Sequence, residues 1–136
     1  FDVQLYLDIP KYDHCILKTL NLSEEEEYEY EALEACYKSI LSSDFEGKEM
    51  NKFLGYPDSV QGCVAYEAER LSSNRGYSDE IYKDAVNWKL LLQVSPYCKW
   101  FKFFDEFGDG SIYFMIRKDD LMNGNFENTQ VVVQNT

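Results

Sequence analysis

Residues 1–10, FDVQLYLDIP, alternate: Val3, Leu5 and Leu7 fall on one side, Gln4 and Tyr6 on the other. That is the pattern of a strand, and Pro10 closes it where a ladder donor is no longer needed. Residues 21–44 switch to a helical period. Ser23 is a good N-cap, Glu26 sits three residues on as a capping box requires, and Glu24 to Glu27 fill the first turn, where carboxylates suit the helix dipole. Tyr30, Leu33, Tyr37, Ile40 and Leu41 recur at three- and four-residue spacing and make one apolar face, with Lys38 toward the far end.

Beyond a charged linker, Gly55, Pro57 and Gly62 break any regular helix. Val64, Tyr66 and Ala68 then alternate with Ala65, Glu67 and Glu69, which predicts a strand with one wet face. SSNRGYSD is a turn-rich loop, and Ser78 is placed to cap a short helix reaching about Asn87, with Glu80 and Asp84 on its polar side. WKLLLQV, SIYFMIR and TQVVVQN are apolar runs of strand length. Between the last two, RKDDLMNGNF predicts a helical turn ended by its glycine. Strands and helices do not alternate strictly, so the pattern predicts an α+β fold, mostly antiparallel, with one long acidic helix.

A chain of 136 residues suits one domain, and 45% hydrophobic residues supply a core. A net charge of −12 argues against nucleic acid as a partner. The excess is uneven: residues 1–50 hold 13 acids against 4 bases. It suits solubility, and it would also suit a basic protein partner. No run approaches the length of a membrane helix, and no signal peptide is visible. Because the chain begins at Phe1 within an apparent strand, upstream residues are expected to be absent, which would leave an edge open to dimerisation.

Candidate chemistry is sparse. Cys15, Cys36, Cys63 and Cys98 form no close pair and His14 is the single histidine, so the spacing predicts free thiols in a reducing cytoplasm and no structural metal. On an extended segment, His14 and Cys15 would point to opposite faces and make no nucleophile–base pair. The acid- and glycine-rich stretch at residues 105–110 lacks the alternate acids and closing glutamate of an EF-hand loop. It also opens a β-rich run where a phosphate loop would open a helix, so a tight turn at Asp109 and Gly110 is expected. In YCKWFKFF, aromatics including Trp100 and Phe101 alternate with lysines. A base-stacking role conflicts with the overall charge, which leaves core cover or, if exposed, a partner-binding patch.

Three blocks, NKFLGYPDSVQG, WKLLLQV and FGDGSIYFMIRKDDLMNGNF, resemble in that order the signature blocks of the YwqG-like family of bacterial proteins, over roughly residues 51–126. The resemblance highlights Gly55, Tyr56, Pro57 and Gln61; Leu91, Leu92 and Gln93; and Gly108, Asp109, Gly110, Tyr113, Phe114, Asp120 and Leu121. Asn51 stands where the family often has histidine, and Phe107 where tryptophan is usual. The resemblance implies an α+β fold with an antiparallel sheet, a longer N-terminal part than residues 1–136 supply, and no established activity or cofactor. Two functions follow as expectations. One is a cytoplasmic, non-catalytic protein-interaction module, antitoxin- or immunity-like, whose acidic face binds a basic partner. The other is a ligand-binding or enzymatic domain with Tyr56, Gln61, Gln93 and Asp109 around a polar pocket.

Overall fold

The computed structural model describes residues 5–44, 51–95 and 110–135. These form α1 (Cys15–Lys18), α2 (Glu24–Asp44), β1 (Lys52–Phe53), α3 (Val64–Ser73), α4 (Ile81–Ala85), β2 (Trp88–Val94), β3 (Gly110–Arg117), α5 (Lys118–Asn123) and β4 (Gln130–Asn135), with a single 3₁₀ turn at Phe126–Asn128. The strands make one antiparallel sheet in the order β1-β2-β3-β4. The fold is α+β.

The capping box forms as the sequence predicts: the Ser23 amide donates to Glu26 Oε2 at 2.8 Å, and the Glu26 amide donates back to Ser23 Oγ at 3.3 Å. The apolar stripe of α2 is less buried than its spacing suggests, since Leu33 and Ile40 stand 57% and 58% exposed. Polar bonds hold the helix instead. The buried Glu34 carboxylate accepts the Tyr12 amide at 2.7 Å and pairs with Lys38, and Tyr30 Oη donates to the Pro10 carbonyl at 2.6 Å.

Two expected strands are corrected. Residues 5–10 form no ladder, and Leu5 and Leu7 face solvent rather than a core. Tyr6, which alternation assigned only to a face, and Asp8 are drawn to the Lys52 amine instead. Residues 64–69 begin α3. Val64, Ala65, Ala68 and Glu69 are its buried positions together with Tyr66, at helical spacing, and alanine, glutamate and arginine favour helix. Alternation over six residues did not distinguish the two periods.

The core lies between α3, α4 and one face of the sheet. Val64, Ala65, Ala68, Ile81 and Ala85 pack on Trp88, Leu90, Tyr113, Met115 and Val132. The β2–β3 register slips between Leu90 and Leu92, so Leu91 is bulged. The slip changes the phase of β2: Trp88 and Leu90 are buried, then Gln93 rather than Leu92. That brings a glutamine onto the helix-covered face opposite Tyr113. Asn51, the departure from histidine, accepts the Ser95 amide at 2.9 Å and closes the junction of β1 with β2. At the other end, α5 terminates at Gly124 with φ 73°, as its glycine predicts.

Candidate functional site

The loop between β1 and α3 holds most of the first signature block. Its turn requires left-handed backbone at Leu54, Gly55 and Gly62. At Gly55 a Cβ would also run into the Asp8 carboxylate. That carboxylate accepts the Tyr56 amide at 2.6 Å. Lys52 completes the clasp: its amine donates to the Tyr56 carbonyl at 3.0 Å, to Asp58 at 2.8 Å and to Asp8 at 3.4 Å, with the Tyr6 ring centred 5.9 Å away. Burial works to lower the Lys52 pKa, but Asp58 and Asp8 outweigh it and leave the amine above the usual lysine value. All three N–H groups are used, so this lysine holds structure together rather than offering a nucleophile.

One polar residue from each of three strands then pins the rest of the loop. Gln93 Oε1 accepts the Asp58 amide at 2.9 Å and its Nε2 donates to the Asp58 carboxylate at 3.2 Å. Tyr113 Oη donates to the Asp58 carbonyl at 2.7 Å. Gln134 Oε1 accepts the amides of Val60 and Gln61 at 2.8 and 3.0 Å, and its Nε2 donates to the Gly62 carbonyl at 3.0 Å. Backbone groups of this largely exposed loop thus find their partners in side chains of the sheet.

The predicted residues therefore separate. Gln93 is committed to Asp58. Tyr56 is half-buried, held through its backbone, with its ring edge-on to His14 at 5.2 Å. Gln61 lines a cleft elsewhere. Asp109, Trp100 and Phe101 lie outside the described residues, as does the predicted turn before Gly110. Asp120, from the last block, accepts from Asn128 at 2.7 Å and Asn125 at 3.4 Å and ties α5 to the 3₁₀ turn.

The cleft that Gln61 enters has a volume of about 390 Å³ and is walled by Cys63, Tyr66, Glu67, Tyr77, Asp79 and Tyr82. Tyr66 lies nearly parallel to Tyr77, ring centres 6.2 Å apart, and is tilted against Tyr82 at 4.6 Å. The Tyr66 hydroxyl is fixed by the Ser78 backbone, donating to its carbonyl at 3.1 Å and accepting its amide at 2.9 Å. Over the face of Tyr77, at 4.7 Å, sits the Arg70 guanidinium, held by Glu67 at 2.9 Å. Burial, then the nearby Cys63 thiol, raises the Tyr82 pKa, so its phenol stays neutral. Two carboxylates, three rings and an open mouth suit a cationic group.

Glu69 of α3 carries a second buried charge. Glu69 accepts Trp88 Nε1 at 2.8 Å and the guanidiniums of Arg117 at 2.6 Å and Arg75 at 2.5 Å, while Arg117 also covers the Trp88 ring at 4.9 Å. The carboxylate is fully engaged. The sequence alone did not reveal Gln134 or Glu69, whose partners Val60 and Arg117 lie 74 and 48 residues away, nor the tyrosine cleft, which exists only once α3 and α4 pack together.

Among the described residues, no group of three His, Cys, Asp or Glu side chains is arranged to hold a metal, and no helix is long and apolar enough to cross a membrane. The domain of unknown function DUF1963 matches residues 4–134. No curated protein and no solved structure matches the chain.

Proposed function

The chain belongs to the DUF1963 family, and we propose that it is a non-catalytic binding module whose tyrosine cleft receives a lysine or arginine side chain of a basic protein partner. The observation that carries this reading is the Arg70 guanidinium on the face of Tyr77, 4.7 Å from its ring centre and paired with Glu67. The chain already seats one cation of its own on these rings. Tyr66, Tyr82 and Asp79 extend the same chemistry to a guest from outside. A cation on an exposed ring contributes roughly 0.5–1 kcal/mol, and more where the cleft desolvates it. The net charge of −12 adds long-range attraction for a basic partner. A bacterial cytoplasmic setting, and the YwqG-like branch of the family, belong to the same reading.

Titration with a lysine-rich peptide, followed by tyrosine-ring NMR shifts, tests it. Binding is expected to weaken as salt rises and to vanish when the lysines are acetylated. Tyr77→Ala and Glu67→Gln should each weaken binding about threefold to tenfold with little change in thermal stability. Equal binding of the acetylated peptide would refute the reading.

A second surface is favoured by a separate observation: Leu33 and Ile40 stand exposed on α2 among its glutamates. An antitoxin- or immunity-like contact with a basic, partly apolar partner would use this face. It is distinguished by charge reversal at Glu29 and Glu31, which would abolish peptide binding while the cleft variants leave it intact.

A further inference from the structure

Cys63 is a cleft residue with a reactive side chain that cation binding does not use. It stands at the N-cap of α3, lines the cleft and is buried to 8% exposure, while Cys15, 48 residues earlier, is wholly buried. The Cys15 amide donates to Cys63 Sγ at 3.1 Å, and both thiols are free. The expectation that His14 and Cys15 diverge on an extended segment does not hold. Cys15 opens α1, His14 caps it, and His14 Nδ1 lies 3.7 Å from Cys15 Sγ. His14 Nδ1 also accepts the Ile16 amide at 3.2 Å, which assigns the ring proton to Nε2.

We propose that Cys63 and Cys15 are a peroxide-responsive thiol pair, in which Cys63 is oxidised from the cleft and Cys15 then closes a disulfide with it. The two thiols have unequal surroundings. A hydrogen bond from the Cys15 thiol, reinforced by the Tyr66 and Cys15 amides, holds Cys63 below the ordinary thiol range despite its burial. The same thiol–thiol bond, with burial, pushes Cys15 well above it. Of the charged groups nearby, Asp13 opposes ionisation of Cys63 and Lys89 favours that of Cys15. A thiolate held by donors is the form that reacts with peroxides, and a neighbouring thiol that gives up its proton to the departing hydroxyl as it attacks resolves the product.

The co-reactant is a hydroperoxide, ROOH. Cys63 sulfur attacks the distal peroxide oxygen; the S–O bond forms, the O–O bond breaks, and the departing alkoxide takes a proton from water to leave as ROH. Sulfur loses two electrons and the peroxide gains them. Cys15 sulfur then attacks the sulfenic sulfur of Cys63. The S–S bond forms, the S–O bond breaks, and the leaving hydroxyl takes the Cys15 thiol proton to depart as water.

This inference is independent of what occupies the cleft. Its test exposes the full chain to one equivalent of hydrogen peroxide, alkylates remaining thiols and maps the peptides without reduction. The expected result is a Cys15–Cys63 linkage with Cys36, the exposed thiol of α2, still alkylated, and oxidation at Cys63 at least about tenfold faster than at Cys36. Cys15→Ser should arrest Cys63 as a sulfenic acid that dimedone labels; Cys63→Ser should give no label at Cys15. Oxidation of Cys36 ahead of Cys63, or disulfides only between chains, would overturn the proposal. Should Cys15→Ser fail to fold, the linked peptide in the unaltered chain decides the matter by its presence or absence.

Discussion

Gln134 lies 74 residues from Val60 in sequence, yet its side-chain oxygen accepts the Val60 amide at 2.8 Å. The same oxygen takes the Gln61 amide, and the amide nitrogen closes on the Gly62 carbonyl. A single glutamine on the edge strand thus takes the place of a strand partner for the loop that leads into α3 and the cleft.

Gln134→Ala removes all three bonds and leaves two loop amides without an acceptor. At about 1 kcal/mol for each net bond, with a further penalty for whatever stays dry, the loss should be roughly 3 kcal/mol. Urea denaturation measures it. Because the cleft wall begins at Gln61, the NMR shifts of Tyr66 and Tyr82 should broaden in the same variant. A loss below about 1 kcal/mol would mean that water replaces the side chain fully.

Glu69→Ala uncovers two guanidiniums and the Trp88 indole N–H together. Both arginines are more than a third exposed and Arg75 keeps Asp84, so the cost comes chiefly from the buried Trp88 N–H left without an acceptor, about 1–3 kcal/mol. The Trp88 emission should shift to the red as Arg117 and the indole are freed to solvent. An unchanged melting temperature would show that the arginines relax outward at no cost.

His14 is buried and its pKa is lowered to about 4, first by burial and then by Lys89. The unfolded chain therefore takes up the proton more readily than the folded one. Its contribution is complete above the unfolded value of 6.5 and is lost as pH falls toward the folded value of about 4. Between about pH 7.5 and pH 5 this group alone should remove roughly 2 kcal/mol of stability. Glu26, held low by the Ser23 bonds, acts in the same direction at lower pH. His14→Gln should flatten the difference between the two pH values by that amount, read from chemical denaturation at each.

Much of this fold was legible where the signal is local. Ser23 and Glu26 form their box because both partners lie within one turn, and β2, β3 and β4 follow from apolar runs long enough to fix their type. The failures have physical causes. Val64 to Glu69 fit both periods over six residues, and the decision came from the sheet face that α3 covers. Leu5 and Leu7 alternate as a strand would, but Asp8 binds Lys52 and Tyr56 in place of a ladder. Gln93 drew attention as a polar signature residue without an obvious packing role, yet the Leu91 bulge turns it inward onto Asp58. The cleft was not legible at all, since Tyr66, Tyr77 and Tyr82 meet only after α3 and α4 have packed.

The contacts of the N-terminal segment with the loop between β1 and α3 share a nearly constant spacing. Asp8 meets Tyr56 and Lys11 meets Ser59, each 48 residues on; Asp13 meets Ser59 at 46 and Cys15 meets Cys63 at 48. A fixed offset means that the two segments run side by side in the same direction, zipped through side chains. Everything between α1 and β1 is then an excursion that departs from this seam and returns to it. Closure entropy grows only slowly with loop length, about 0.6 kcal/mol per doubling. The acidic helix is thus carried as an arm of the seam, fastened back to it where Glu34 accepts the Tyr12 amide and Tyr30 donates to the Pro10 carbonyl.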